Sequence, residues 1–296
     1  MTAFRVTERS IATNVLVGLQ GNLSRLGQIQ QQLSSGKQFS KPSDSPTGTV
    51  ASMQYRGELA TAKQYSRNAD DGLGWLGTAD SALSNVMSEV QRVRELTIEG
   101  MSNGAAGSAD ARLGIAAEVS QLHDGALGLA NTRYGDRPIF GGTTTGNAAY
   151  DMSGNYLGDN GTVQRTVGDN VKVSVADPGT AVFGAGNAQL FKVISDIASD
   201  LQNNPANLSA DLDRLDTATT TLKAVQSSVG ARYNQVTQMQ QFANDKIDNL
   251  TSQLSDVEDI DLPKTITDMQ MQQVAYQAAL SATAKVVQPS LVDFLK

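Results

Sequence analysis

The chain has 296 residues, with 23 basic and 30 acidic side chains, a net charge of −7, one histidine and no cysteine. That balance excludes the basic footprint of a nucleic-acid binder and argues against anionic membrane surfaces. The missing thiols exclude disulfides, thiol catalysis and Cys-ligated metals. Hydrophobic residues make up 40% but aromatics only 5%, a mixture suited to long helices with narrow apolar seams rather than a globule filled by rings. The opening MTAFRVTERSIATNVLVGLQ lacks the apolar core of a secretory signal. No run approaches the ~18 apolar residues of a membrane span. The sequence reads as soluble, with a dedicated signal-free export route left open.

In chain order, the first predicted helix carries Leu16, Leu19, Leu23, Leu26 and Leu33 at alternating three- and four-residue steps, with polar Gln30 at one seam position. This is a heptad spacing. It stops at Ser34-Ser35-Gly36 and a loop with Pro42, Asp44 and Pro46. A second helix is predicted from near Thr49, with Leu76, Ala79, Leu83, Val86, Val90, Val93 and Thr97 on one face. After a break at Gly100 to Ser108, a third carries Ile115, Val119, Leu122, Ala126 and Leu129. Between Gly141 and Gly186 the period changes. Val163, Arg165 and Val167 alternate, as do Val171, Val173 and Val175, around Gly168-Asp169-Asn170, which predicts a β-hairpin.

The longest seam then runs Val229, Tyr233, Val236, Gln240, Ala243, Ile247, Leu250, Leu254 and Val257. With its approach from about Asp211, this helix exceeds ~60 Å at ~1.5 Å per residue. Asp256, Glu258, Asp259 and Asp261 end it, and Pro263 sits where a last helix starts. That helix offers Ile266, Met269, Tyr276, Leu280 and Val287, followed by apolar Leu291, Val292, Phe294 and Leu295. The expected fold is mainly α: a long coiled-coil helical bundle built from N- and C-terminal segments, with a small β-rich inserted domain. The expected division is 1–44 with 255–296, 45–140 with 187–254, and 141–186.

The ends are not self-sufficient. Burying the seam leucines offsets only part of the entropy lost in ordering a terminal helix. The last helix has the complementary need, since Leu291, Phe294 and Leu295 find no partner nearby in sequence. The simplest solution pairs the ends with each other and with neighbouring copies, both ends being poorly ordered in the free monomer and ordered on polymerisation. From heptads alone, an intramolecular helix pair and nothing more is the plainer alternative.

Catalytic signatures are missing. Gly72-Leu73-Gly74-Trp75-Leu76-Gly77 matches GxGxxG formally, but its upstream segment is polar and helical rather than a strand. His123 has no second His or Cys with which to share a metal. The Asp256 to Asp261 cluster does not fit a calcium loop and reads better as a helix corner with capping carboxylates. Trp75 reads as a packing anchor. The sequons at Asn207 and Asn249 are weak signals.

Four segments carry a resemblance. LSSGKQFSKPSDSPTG at Leu33 to Gly48, SRNADDG at Ser66 to Gly72, QRVREL at Gln91 to Leu96, and SDVEDID at Ser255 to Asp261 are similar to signatures of bacterial flagellins, in the same order. Together they cover roughly residues 1–140 and 190–296. LGLANTRYGDRPIFGG at Leu127 to Gly142 and the closing helix resemble the hook-filament junction members of that family rather than its filament formers. Pro42, Pro46 and Pro263 depart from the usual pattern and bear on local geometry.

The resemblance implies a structural, non-enzymatic subunit of the bacterial flagellum with no cofactor, exported unfolded without a cleaved signal peptide. Its implied partners are other copies of itself, the first hook-associated protein, flagellin, and a cytosolic export chaperone on the C-terminal seam. The terminal helices would form an inner tube, with assembly contacts through Leu16, Leu19, Leu23, Leu26, Leu33, Met269, Tyr276, Leu280, Val287, Leu291, Phe294 and Leu295. Arg92, Arg94 and Glu95 of QRVREL would touch a neighbouring subunit. The plainer reading there is a set of ordinary helix-surface ion pairs. A filament-forming flagellin and a cytoplasmic coiled-coil scaffold are the alternative functions.

Overall fold

In the computed structural model, residues 8–102 and 108–287 are described, with side chains described for 13–102 and 108–284. The helices are α1 (Glu8–Ser35), α2 (Pro46–Gly100), α3 (Ala109–Ala130), α4 (Gly179–Phe183), α5 (Leu190–Asn203), α6 (Leu208–Glu258) and α7 (Leu262–Val287). The strands are β1 (Arg133–Tyr134), β2 (Arg137–Pro138), β3 (Gln164–Gly168) and β4 (Val171–Ser174). The chain divides into two compact units, 1–60 with 248–296, and 61–247.

The helix boundaries follow local chemistry. Pro46 opens α2, where a missing N–H costs nothing, and the Ser45 hydroxyl accepts from the Gly48 N–H at 3.2 Å. Asp261 plays the same part for α7, its Oδ1 accepting from the Lys264 N–H at 3.1 Å, with Pro263 in the first turn. Ser108 caps α3 through the Ala111 N–H. At 51 residues, α6 is about 75 Å long at 1.5 Å per residue.

The unit formed by 61–247 holds the main core. Leu76, Leu83, Val86, Val90 and Val93 of α2 are buried with Val119 of α3 and Leu215, Leu222 and Val236 of α6. α5 adds an amphipathic face, Leu190, Val193, Ile194, Ile197 and Leu201, all buried. β3 and β4 pair antiparallel around Asp169-Asn170, the predicted hairpin, with Asn170 at φ 60°, a left-handed position that Asn tolerates. The residues of 141–186 are not a separate core. Tyr150, Val163, Val167, Val173 and Phe183 belong to the same buried cluster as the helices. Phe140–Phe183, Tyr150–Phe191 and Phe183–Phe191 ring centroids lie 5.0, 4.9 and 5.1 Å apart.

The formal GxGxxG has a packing role. All of it lies in α2, and a Cβ at Gly74 would overlap the Tyr134 hydroxyl, while Trp75 meets the Tyr134 ring edge-on at 5.6 Å. The glycine lets the β1–β2 turn approach the helix.

In the unit formed by 1–60 and 248–296, α1 packs on α7. The half-buried positions of α1 are Val15, Leu19, Asn22, Leu26, Ile29 and Leu33, with Gln32 beside them; those of α7 are Thr265, Asp268, Met269, Gln272, Tyr276, Ala279 and Thr283. The α1 set, and the α7 set with Asp268 beside Met269, step by threes and fours, as paired helices require.

Candidate assembly surfaces and the joint behind them

The terminal pair presents two kinds of surface. Toward α7, the first helix uses Leu19, Leu26 and Leu33 together with Val15, Asn22 and Ile29. Leu16 and Leu23 turn outward, 56% and 54% exposed. On α7, Met269 and Tyr276 are half-buried, whereas Met271, Val274 and Leu280 are exposed. The side chain of Val287, with Leu291, Phe294 and Leu295, lies outside the described residues. Within the pair, the Gln272 side-chain amide donates to Asn22 Oδ1 at 3.2 Å and to the Asn22 carbonyl at 3.3 Å.

Two segments singled out in the sequence meet in space. The turn after α1 and the corner between α6 and α7 join through the Gln38 N–H donating to the Glu258 carbonyl at 2.6 Å and the Ile260 N–H donating to the Gly36 carbonyl at 3.1 Å. Side chains reinforce the joint. Lys37 Nζ lies 3.0 Å from Glu258 and 2.7 Å from Asp259. Arg56 grips Glu258 with both arms, Nε at 2.9 Å and Nη2 at 2.8 Å, and the Ser52 hydroxyl donates to the same carboxylate. Glu258 is only 3% exposed. The Arg56 guanidinium, aided by Ser52 and Lys37, holds its pKa down to about 2, against 4.5 ordinarily. Fork geometry suits a carboxylate that must stay ionised out of water. Spacing gave no hint of this cluster, because Lys37 and Arg56 stand 221 and 202 residues from Glu258.

The other motifs also act as staples, within 61–247. In SRNADDG, Ser66 donates to Asn244 at 2.9 Å, Asn68 to the Thr166 carbonyl at 2.7 Å, and Asp71 takes Arg165 at 2.5 Å. Gln240 donates to Asp70. Less than two turns of α2 thereby hold both α6 and the β3–β4 hairpin. In LGLANTRYGDRPIFGG, Asn131 accepts from the Ala149 and Tyr150 N–H groups, each at 2.8 Å, and donates to the Tyr150 carbonyl at 3.0 Å. Gly142 has φ 71°, and a Cβ there would run into Asp159, so only glycine closes this turn without strain.

QRVREL is held within the chain. Arg92 pairs with Glu118 of α3 at 2.8 Å and Glu95 at 3.4 Å, and Arg94 pairs with Asp216 of α6 at 2.8 Å. The charged groups remain about half exposed, between 43% and 63%. His123 stacks edge-on against Phe191 at 6.5 Å and contacts Asp124. Among the described residues no group of acidic or imidazole side chains could hold a metal, and no helix is long and apolar enough to cross a membrane.

This geometry finds its counterpart among known proteins. The model of the bacterial flagellin N-terminal helical region matches residues 6–145, and that of the C-terminal helical region matches 212–295. A Bacillus subtilis flagellin is 25% identical over 295 residues, covering 96% of each chain. Flagellar hook-associated protein 3 of Escherichia coli is 26% identical over 292 residues, covering 90% of this chain and 92% of that one. In fold, the chain is similar to flagellar hook-associated protein 3 from Legionella pneumophila, with a TM-score of 0.60 at 16% identity over 69% of this chain and 98% of that one. With both terminal models matched across most of the sequence and their segments joined at Glu258, the chain belongs to the bacterial flagellin family.

Proposed function

We propose that this chain is the adapter subunit that joins the hook to the flagellin filament of a bacterial flagellum. The observation that carries its assembly role is the terminal pair itself: two helices packed on each other that still expose Leu16, Leu23, Met271 and Val274. Paired apolar stripes left in water mark an association surface. The likeness to a relative named hook-associated protein 3 along 90% of this chain and 92% of that one, with the resemblance of LGLANTRYGDRPIFGG and the closing helix to junction members, supports the junction over the filament. The role is structural, and the ion-paired helix staples described above serve stiffness rather than chemistry.

In this reading, residues 1–44 and 255–296 make the inner contacts of the lattice, 45–140 and 187–254 the next helical layer, and 141–186 face outward. The terminal pair buries only one narrow seam, so it is marginal in the free chain and consolidated by neighbours. Its assembly contacts are Leu16, Leu19, Leu23, Leu26, Leu33, Met269, Tyr276, Leu280, Val287, Leu291, Phe294 and Leu295, with Arg92, Arg94 and Glu95 at a second contact. The partners are further copies, the first hook-associated protein on one side and flagellin on the other. A cytosolic chaperone covers the last helix before export without a cleaved signal.

Substituting Leu16→Asn with Leu23→Asn tests the surface. The variant is expected to be secreted and to keep the parent's unfolding transition for 61–247, yet to be missing from sheared flagella. Normal incorporation would remove this stripe from the interface. A filament-forming flagellin is the second reading, favoured by the match to the Bacillus subtilis flagellin along 96% of both chains; unassisted growth of long filaments from the purified chain would select it.

A further inference from the structure

The first helix carries two overlapping seams that share Leu19, Leu26 and Leu33. One adds Leu16, Leu23 and Gln30, the other Val15, Asn22 and Ile29. Each has one polar residue among apolar ones, so burial alone does not choose between them. Changing from one to the other needs only a turn of about 50° around the helix axis at 3.6 residues per turn. The structure uses the Val15, Asn22 and Ile29 face against α7 and leaves Leu16 and Leu23 outside. Packing on this face is not tight throughout, since a groove of 270 Å³ lined in part by Val15, Gly18, Leu19, Asn22, Ala279 and Thr283 runs beside it.

What distinguishes the faces is the layer at Gln272. In the observed orientation its amide finds the Asn22 side chain and carbonyl at 3.2 and 3.3 Å. In the other, position 272 would face Leu23, and both amides would lose this partner. An orphaned amide in a half-dry seam costs far more than a satisfied one. A single polar residue in a heptad seam is a known device for choosing one packing among several of similar apolar content. Sliding is not a free alternative, since Lys37 and the backbone at Gly36 and Gln38 are pinned to the Glu258 corner.

We propose that the Asn22–Gln272 pair is the rotational selector of the terminal helix pair. It turns Val15 and Ile29 inward and thereby presents Leu16 and Leu23 to a neighbouring copy. Both are positioning residues. Their consequence for assembly rests on the function proposed above, but the selection takes place within one chain and is measurable there.

The absence of cysteine makes the test direct. Leu23→Cys and Ile29→Cys, in separate full-length chains, report the outward and inward faces by their rates of maleimide labelling. Labelling is done at high dilution with trimethylamine oxide, which strengthens burial. With the polar pair intact, the thiol at position 23 is expected to label faster than that at 29. Adding Gln272→Leu orphans Asn22 and should reverse the order, shifting the ratio about tenfold. Adding Asn22→Leu to Gln272→Leu makes the layer apolar on both sides and should restore the original order. An unchanged order in Gln272→Leu overturns the proposal, as does equal labelling of the two positions in the parent chain. Faster labelling at both positions in Gln272→Leu also overturns it, because the pair would then stabilise without selecting. Any of these results leaves the junction function standing, since that is read from incorporation into flagella.

Discussion

Glu258 illustrates how much one side chain can carry. Its carboxylate takes Arg56, Lys37 and Ser52 while almost fully buried, and its pKa is held to about 2 against 4.5. A depressed carboxyl pKa adds stability above the unfolded value and loses it as pH falls through the folded one. The contribution is therefore complete above about pH 4.5 and gone near pH 2. Glu258→Gln is expected to cost ~1–3 kcal/mol at neutral pH, allowing for the solvent around Arg56. It should approach the parent as pH drops through that window. Urea unfolding followed by circular dichroism across pH checks this; a constant difference down to pH 2 contradicts it. Gly74 makes a second case. Gly74→Ala drives a methyl into Tyr134 and is expected to cost ~1–3 kcal/mol by overpacking. Tyr134→Phe on the same background removes the hydroxyl and should recover part of that loss.

At the scale of elements, legibility followed the number of partners an element has. The face of α2 read as Leu76, Ala79, Leu83, Val86, Val90, Val93 and Thr97 is buried at every position. A helix that packs one face on a core and leaves the other in water has a single apolar stripe, so its period settles the matter. Leu83→Ala should accordingly cost ~2–5 kcal/mol in denaturant unfolding; a loss under ~1 kcal/mol would show that this core collapses around the cavity. In α1, by contrast, two stripes share three leucines, and the residue that separates them, Gln272, lies 250 positions from Asn22. No local pattern contains that pairing. α5 carries a readable signal in Leu190, Val193, Ile194, Ile197 and Leu201 at i, i+3, i+4, i+7 and i+11, yet the reading of the sequence names no helix there and only includes these residues in the 187–254 bundle. Tyr233 fell on the seam of α6 by spacing but is 41% exposed, because a helix this long outlasts any single partner.

For the whole molecule, the motifs that resembled flagellin signatures turn out to be structural staples. SRNADDG ties α2 to α6 and a hairpin, while the turn after α1 and the acidic corner close on each other through Lys37, Arg56 and Glu258. Their chemistry was visible in sequence as polar residues, but their partners came only with the fold. QRVREL separates fold from assembly. Arg92→Glu with Arg94→Glu breaks exposed ion pairs to Glu118 and Asp216, each worth ~0.2–1 kcal/mol, so a folded and secreted protein is expected. Loss of motility in that variant would assign these arginines to a neighbouring subunit; full motility would leave them as internal braces.

The most direct measurement of the junction role is to delete the gene in the bacterium that encodes this chain. Cells are then viewed by electron microscopy while the medium is probed for flagellin. The expected result is hooks that bear no filaments, with unassembled flagellin shed into the medium and both defects reversed by the intact gene. Complete filaments on motile cells would contradict the adapter function and leave a redundant filament subunit in its place.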